Sequence, residues 1–238
     1  MEYYKNYEKR YKAVNEAGIP LWGNSEKDTV LIETLKKWVE ENDLKGKRVI
    51  EFACGEGSCG IILSDMGVRY YGVDIAPSAV QKGKERLSDY PDAVVEQLDM
   101  VKEAPEGRFD GALDVMGFHM LVTDNDRKKY LKNALDCLKQ NAPMLFIREI
   151  CGEDENMEKE IKTFDEFKAL TENDYDMPQK RLVNGKEVYI PFLPARARSM
   201  NGYVRELEAA GFSIDSAQIS PENSSVIHGV DIYARKTQ

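Results

Sequence analysis

The sequence predicts an α/β domain in which seven strands form a mostly parallel sheet with helices on both faces. Three observations predict it. Short strand-like runs alternate with helical patterns from residue 48 to residue 147, and parallel strands need such crossovers. A glycine-rich turn, Gly55-Glu56-Gly57-Ser58-Cys59-Gly60, joins the first strand to the helix after it. No proline- or serine-rich linker and no internal repeat divides the 238 residues, so one domain is expected over 1–238.

Residues 1–24 read as a short amphipathic helix rich in Tyr, Lys and Glu, closed by the turn Gly18-Ile19-Pro20-Leu21-Trp22-Gly23. Ser25 can cap a helix to about Glu41, because Val30, Leu31, Leu35, Trp38 and Val39 recur at helical spacing. These elements make a helical cap over 1–46. The core over 47–150 then alternates. Arg48–Phe52 is a strand, Gly57–Asp65 a helix and Arg69–Val73 a strand. Pro77 opens a helix to about Leu87, where its missing N–H is harmless. Strands at Ala93–Leu98 and Gly111–Val115, a helix at Asp124–Cys137 and a strand at Met144–Ile147 complete the core.

Residues 151–196 break the rhythm and are expected to form a lid-like insertion after the fifth strand. It holds a helix around Phe164–Leu170 and a hairpin turn signal, Asn184-Gly185. In 197–238 a helix over Met200–Ala210 is stopped by Gly211, and strands follow at Phe212–Ile219 and Val226–Ala234.

Charge narrows the partners. With 33 Lys and Arg against 42 Asp and Glu, the formal charge is −9. Such a surface repels phosphate backbones and anionic lipid, so neither nucleic acid nor membrane is expected. The four cysteines form no CxxC pair and no zinc-ligand spacing, so no metal site is expected. They read as free thiols in a reducing cytoplasm. The N-terminal MEYYKNYEKRYK is too polar for a signal peptide, and no apolar run reaches transmembrane length.

Four segments carry chemistry. In Val49–Gly60, the glycines let the backbone approach a ligand, and the N–H groups of the next helix face it. Gly55-x-Gly57-x-x-Gly60 also fits the dinucleotide pattern GxGxxG, so a pyrophosphate cofactor and a nucleoside cofactor without phosphates both remain open. Glu51 favours the second, because a carboxylate beside the turn repels pyrophosphate and suits an ammonium or sulfonium; Glu56 adds to this. Asp74 ends the second strand, where it can accept from both ribose hydroxyls, with Ile75 against the adenine. Asp99 is placed to accept from the adenine amino group, and Met100 to pack on the ring. The fourth segment, Arg108–Leu121, leads from a strand into a loop at the carboxyl edge of the sheet, where ligands of such folds bind.

Together these segments resemble the class I S-adenosylmethionine-dependent methyltransferases, from about residue 47 to 150. The resemblance implies a Rossmann-like sheet whose last two strands form an antiparallel edge hairpin. It implies S-adenosyl-L-methionine as cofactor, held by Glu51, Ala53, Gly55, Gly57, Asp74, Ile75, Asp99 and Met100. The backbone after Asp114, at Val115, would hold the methionine amine. Ala53 departs from the family, which usually has glycine there. Tyr7, Tyr11 and the Pro20-Leu21-Trp22 turn are similar to an arrangement in small-substrate members, where a leading helix and a Pro-Trp turn close over the cofactor. Trp22 is therefore also a cofactor candidate, and the implied acceptor is a small molecule methylated at N, O or S.

In methyl transfer the leaving group is a neutral thioether, so alignment of the nucleophile dominates and a base is needed only for a protonated acceptor. His119, in the loop after the fourth strand, is a candidate base or else a packing histidine. Candidate acceptor residues are Tyr7, Tyr11, Arg148 at the end of the fifth strand, and Tyr189, Arg196 and Arg198 in or beside the insertion. For the arginines, salt-bridged or solvated roles stand beside this one. An NAD-dependent oxidoreductase and a non-catalytic cofactor-binding module are the competing functions.

Overall fold

The computed structural model describes residues 2–183, 186–221 and 228–237. A 3-10 turn at Tyr3–Asn6 runs into α1 (Tyr7–Glu16), and α2 (Thr29–Glu41) follows. The core then alternates through β1 (Arg48–Phe52), α3 (Ser58–Asp65), β2 (Arg69–Asp74), α4 (Pro77–Arg86) and β3 (Val94–Gln97). It continues through β4 (Gly111–Val115), α5 (Asp124–Cys137) and β5 (Pro143–Ile150). The insertion adds α6 (Glu155–Glu158), α7 (Phe164–Thr171), β6 (Pro178–Val183) and β7 (Lys186–Pro191). The chain closes with α8 (Met200–Ala210), β8 (Phe212–Ile219) and β9 (Gly229–Lys236).

The seven-stranded sheet has the order β3-β2-β1-β4-β5-β9-β8. Strands β1 to β5 pair in parallel, and β9 runs antiparallel between β5 and β8. The edge strand β8 therefore points the same way as the core strands, and β9 alone is reversed. Val49, Ile50, Phe52 and all of β4 are buried, as expected of strands covered on both faces. One face packs Phe52, Phe118, Tyr130, Phe146 and Tyr203 under α5 and α8. The other packs Leu35, Trp38, Leu63, Leu113 and Leu145 under α2 and α3. The strand order reverses between β1 and β4, and that switch opens a crevice at their carboxyl ends.

Several boundaries differ from expectation. Helix α2 starts at Thr29, not after Ser25, because the Asp28 carboxylate accepts from Leu31 N–H at 3.1 Å, while Ser25 Oγ caps only a preceding turn through Lys27 N–H. Strand β5 extends to Ile150 through an irregularity between Phe146 and Glu149, where Arg148 takes a φ of 59°. The Asn184-Gly185 signal lies outside the described residues, although β6 and β7 pair antiparallel on both sides of it. Val226 likewise lies outside them, and the last strand is described from Gly229.

The β6–β7 hairpin of the insertion stands apart from the main sheet, while Met157, Ile161 and Phe167 join the core on one of its faces. Val188 and Ile190 of β7 pack on Val14 and Ile19, so the hairpin braces α1. Tyr7 Oη donates to the Pro194 carbonyl at 3.3 Å, and the Glu8 carboxylate accepts from Ser78 N–H at 3.0 Å at the start of α4. Helix α1 is thus held between the hairpin and the core. Among the described residues, no helix is long and apolar enough to cross a membrane.

Candidate functional site

A cavity of about 410 Å³ opens at the carboxyl ends of β1, β2 and β4, with α1 and the Trp22 turn across it. Trp22, Glu51, Ala53, Gly55, Asp74, Ile75, Asp99, Met100 and Val115 all line it. Strand β1 delivers Glu51 and Ala53, β2 delivers Asp74, and the turn after β3 delivers Asp99 and Met100. The fold brings together residues that sequence separates by up to 93 positions, Trp22 to Val115.

Asp74 is the best-defined contact. It is 5% exposed; one carboxylate oxygen accepts from Gly55 N–H and the other from Ala76 N–H, each at 2.8 Å. Burial pushes its carboxyl up to about 6, and those two N–H donors hold it from going higher. Gly55 has a φ of 54°, and a Cβ there would stand 2.7 Å from Tyr11 Oη. Glycine is therefore required both by conformation and by the covering helix.

Glu51 lies under the floor at 3% exposure, with Tyr70 donating its hydroxyl to it. Burial pushes its carboxyl up to about 8, reinforced by Asp114 and Asp74 nearby and opposed by the Tyr70 and Cys59 donors. Glu56 is committed elsewhere: it accepts from Trp22 N–H at 2.6 Å and pairs with Lys82 at 3.0 Å. It fixes the Trp22 turn to the glycine loop at the wall of the cavity.

Ala53 and Met116 end β1 and β4 in the left-handed region, with φ of 51° and 63°. Such conformations cost about 1 kcal/mol or more for a residue with a Cβ and gather at ligand sites. A glycine at position 53 would avoid that cost. Ala53→Gly is expected to raise the thermal midpoint by a few degrees, about 1 kcal/mol, in a melting experiment. A lowered midpoint would contradict this account of the turn.

Gly57 does not line the cavity. It caps α3 with a φ of 78°, and a Cβ there would press on Leu87 and Gly83, so its role is to pack α3 on α4. His119 is also outside the lining. It is 1% exposed, with Nδ1 2.8 Å from Glu149 Oε2, and burial lowers its pKa to about 4. The packing alternative fits this geometry. Glu149 is itself raised to about 7 by burial, and burial with the adjacent Glu149 raises Asp114 well above the carboxylate range.

Of the acceptor candidates, Tyr7 and Tyr11 line the cavity. Arg148 is buried against Asp28 at 2.8 Å and Asn24 at 2.8 Å. Arg196 is fully buried, donating to the carbonyls of Met157, Val122 and Lys159 and pairing with Asp124 at 3.1 Å. Arg198 bridges Glu158 and Glu206, each at 3.0 Å. Tyr189 is 64% exposed on the hairpin, away from the cavity. Arg148 thus ties β5 to the segment before α2, Arg196 and Arg198 hold the insertion to its surroundings, and Tyr189 faces solvent. The cover of the cavity comes from α1, not from the insertion.

Sequence reasoning missed Arg10, Tyr130 and Met120, which also line the cavity. Arg10 lies one turn from Tyr7, so the same helical face already marked it. Tyr130 donates to Asp114 from α5, a pairing with no local signal. The thiols of Cys54 and Cys59 are buried in the lining and raised by burial.

Residues 49–141 match the family model described as Methyltransferase domain. That segment resembles a methyltransferase domain. Its fold extends through the chain. A methyltransferase of Clostridium acetobutylicum, described as S-adenosylmethionine-dependent, superposes with a TM-score of 0.65 over 99% of each chain at 14% identity. A Burkholderia thailandensis 1,6-didemethyltoxoflavin-N1-methyltransferase superposes with a TM-score of 0.66 over 100% of this chain and 90% of its own at 16% identity. In sequence, this chain is 36% identical over 74 residues to a ribosomal protein L11 methyltransferase of Vibrio vulnificus. The match covers 30% of this chain and 24% of that one, so the chain spans about a quarter of the length of the curated relatives it matches.

Proposed function

We propose that this protein transfers a methyl group from S-adenosyl-L-methionine to an N, O or S atom of a small molecule in the cytoplasm. The observation that carries the reading is the floor of the cavity, where Glu51, Asp74 and Asp99 stand at three neighbouring strand ends around Gly55. A pyrophosphate would need the Gly55 N–H, and that donor is already given to Asp74 at 2.8 Å. An NAD reading therefore loses its anion site, while a ribose and a cationic amino acid find acceptors.

The donor set fits the cofactor. Asp74 has lone pairs left for ribose hydroxyls, Ile75 and Met100 offer an apolar slot, and Asp99 sits beside them for an amino group. Glu51 and the backbone at Ala53 and Val115 suit an ammonium. When bound, S-adenosylmethionine supplies a methyl group on a sulfonium. The chain aligns the acceptor with it and excludes water through α1, whose Tyr7 and Tyr11 face the acceptor. With His119 held by Glu149, no imidazole is placed to take a proton from the acceptor.

The acceptor is read as small because α1 covers the cavity and is tied to both the hairpin and α4. The Burkholderia neighbour, named for a toxoflavin precursor, supports that class, whereas the L11 methyltransferases act on a protein and match only the domain core. The cytoplasmic placement rests on four free cysteines. The test is incubation with S-adenosylmethionine tritiated at the methyl and a cell extract, then ultrafiltration. Label in the small-molecule filtrate is expected. Label confined to the macromolecular fraction would contradict the acceptor class, and no transferred label would favour a non-catalytic binding module.

A further inference from the structure

Arg10 is the one lysine or arginine lining the cavity among the described residues. Its guanidinium makes a single hydrogen bond among them, from Nη2 to the Pro191 carbonyl at 3.1 Å. Nε is buried with no acceptor. The group lies 5.7 Å from the ring centroids of both Tyr7 and Trp22. No carboxylate acts on it: the charged neighbour it meets is another cation, Arg181 on β6, and its remaining titratable neighbours are the phenols Tyr7 and Tyr11.

This is anomalous in a chain of charge −9. Arg10 is partly buried, whereas the buried arginines among the described residues each have a carboxylate: Arg127 has Glu206, Arg148 has Asp28, Arg196 has Asp124 and Arg198 has Glu158. A desolvated cation without a counter-charge is costly, and its fork matches a planar anion in two-point contact. Arg10 also enters from the covering helix and is tethered to Pro191, on the insertion side of the cavity and not at the strand ends where the cofactor's fixed points lie.

We propose that Arg10 recognises a carboxylate carried by the methyl acceptor, whose apolar body lies against Tyr7, Trp22, Met116 and Met120. The assignment rests on the small-molecule methyltransferase reading and names its substrate class: an anionic acceptor, drawn to an electropositive spot in an acidic protein. Arg10 is a specificity residue, with Tyr7 and Trp22 holding its plane.

Saturation-transfer NMR on the protein loaded with S-adenosylhomocysteine tests this. The probes are aromatic and alkyl carboxylic acids, each paired with its primary amide. Acids are expected to bind and their amides not. Arg10→Gln should weaken the acids by roughly ten- to a hundredfold, and Arg10→Lys by less. Affinity for S-adenosylhomocysteine should stay within about threefold in both variants, which also reports that the cavity is folded. If Arg10→Gln does not fold, Arg10→Lys supplies the comparison, because it keeps the charge and loses the fork. Amides binding as well as acids, or no acid binding, would overturn the assignment. So would weaker S-adenosylhomocysteine binding in the variants with unchanged binding of 5′-methylthioadenosine, which lacks the carboxylate; the cation would then serve the cofactor. Failure of the unaltered protein to bind S-adenosylhomocysteine would instead overturn the methyltransferase reading, and this assignment with it.

Discussion

Asp74→Ala weakens S-adenosylhomocysteine binding by about a hundredfold or more, read by calorimetry, without unfolding the protein. Two hydroxyl-to-carboxylate hydrogen bonds are lost, each worth about 1.5–3 kcal/mol when the acceptor is charged. The N–H groups of Gly55 and Ala76 lose their acceptors as well, so the glycine loop is no longer held at ligand-binding height. Folding suffers less, because the carboxyl that is removed was itself penalised by burial. Asp74→Asn keeps one acceptor oxygen and is expected to fall between. Unchanged affinity in Asp74→Ala would mean that the ribose lies elsewhere and that Asp74 only braces the loop.

The second large effect is on pH. The cofactor-free protein is expected to melt about 5 °C lower at pH 8 than at pH 6.5. Burial raises Glu51 to about 8, Glu149 to about 7 and Asp74 to about 6, against ordinary values of 4.5, 4.5 and 3.8. The folded state therefore holds protons that the unfolded chain has already released. Stability from these groups is full below the unfolded values and declines as pH rises through the folded ones, the last being Glu51. His119 opposes this only in acid: its folded value of about 4 lies below the ordinary 6.5, so its contribution grows up to that pH and is flat beyond. Between 6.5 and 8 the carboxyls act alone, and the loss is about 2 kcal/mol. A ligand carrying an ammonium draws Glu51 into its charged form. Binding should then release a proton, seen as different heats in phosphate and Tris buffers, and should tighten with pH over the same window. Glu51→Gln removes both effects. A thermal midpoint that rises from pH 6.5 to 8 would contradict the burial of Glu51 as an uncharged acid.

The parts of the site that were legible in the sequence are those made by one strand and the turn after it. Glu51, Gly55, Asp74 and Asp99 are strand-end residues, and a parallel sheet gathers strand ends by construction. For the arginines the sequence left substrate and salt-bridged roles side by side, because the partners Asp28, Asp124 and Glu158 lie far away in sequence; the fold pairs Arg148, Arg196 and Arg198 with them. His119 sits between the lining residues Gly117 and Met120, but a one-turn 3-10 helix buries its ring against Glu149. Of the two covers the sequence suggested, the leading helix and the Trp22 turn line the cavity, while the insertion does not, because sequence gives the insertion's composition and not its docking: its hairpin rests on the outside of α1. Arg10 was overlooked although its spacing from Tyr7 places it on the same face. Its significance comes from the missing carboxylate, which only the folded chain reveals.

The most direct test of the central claim is calorimetric titration of the unaltered protein with S-adenosylmethionine, S-adenosylhomocysteine and NAD. Micromolar binding of the first two, about −8 kcal/mol, and none of NAD is expected. Binding of NAD without the other two would contradict it, because the Gly55 N–H would then have to leave Asp74 to meet a pyrophosphate.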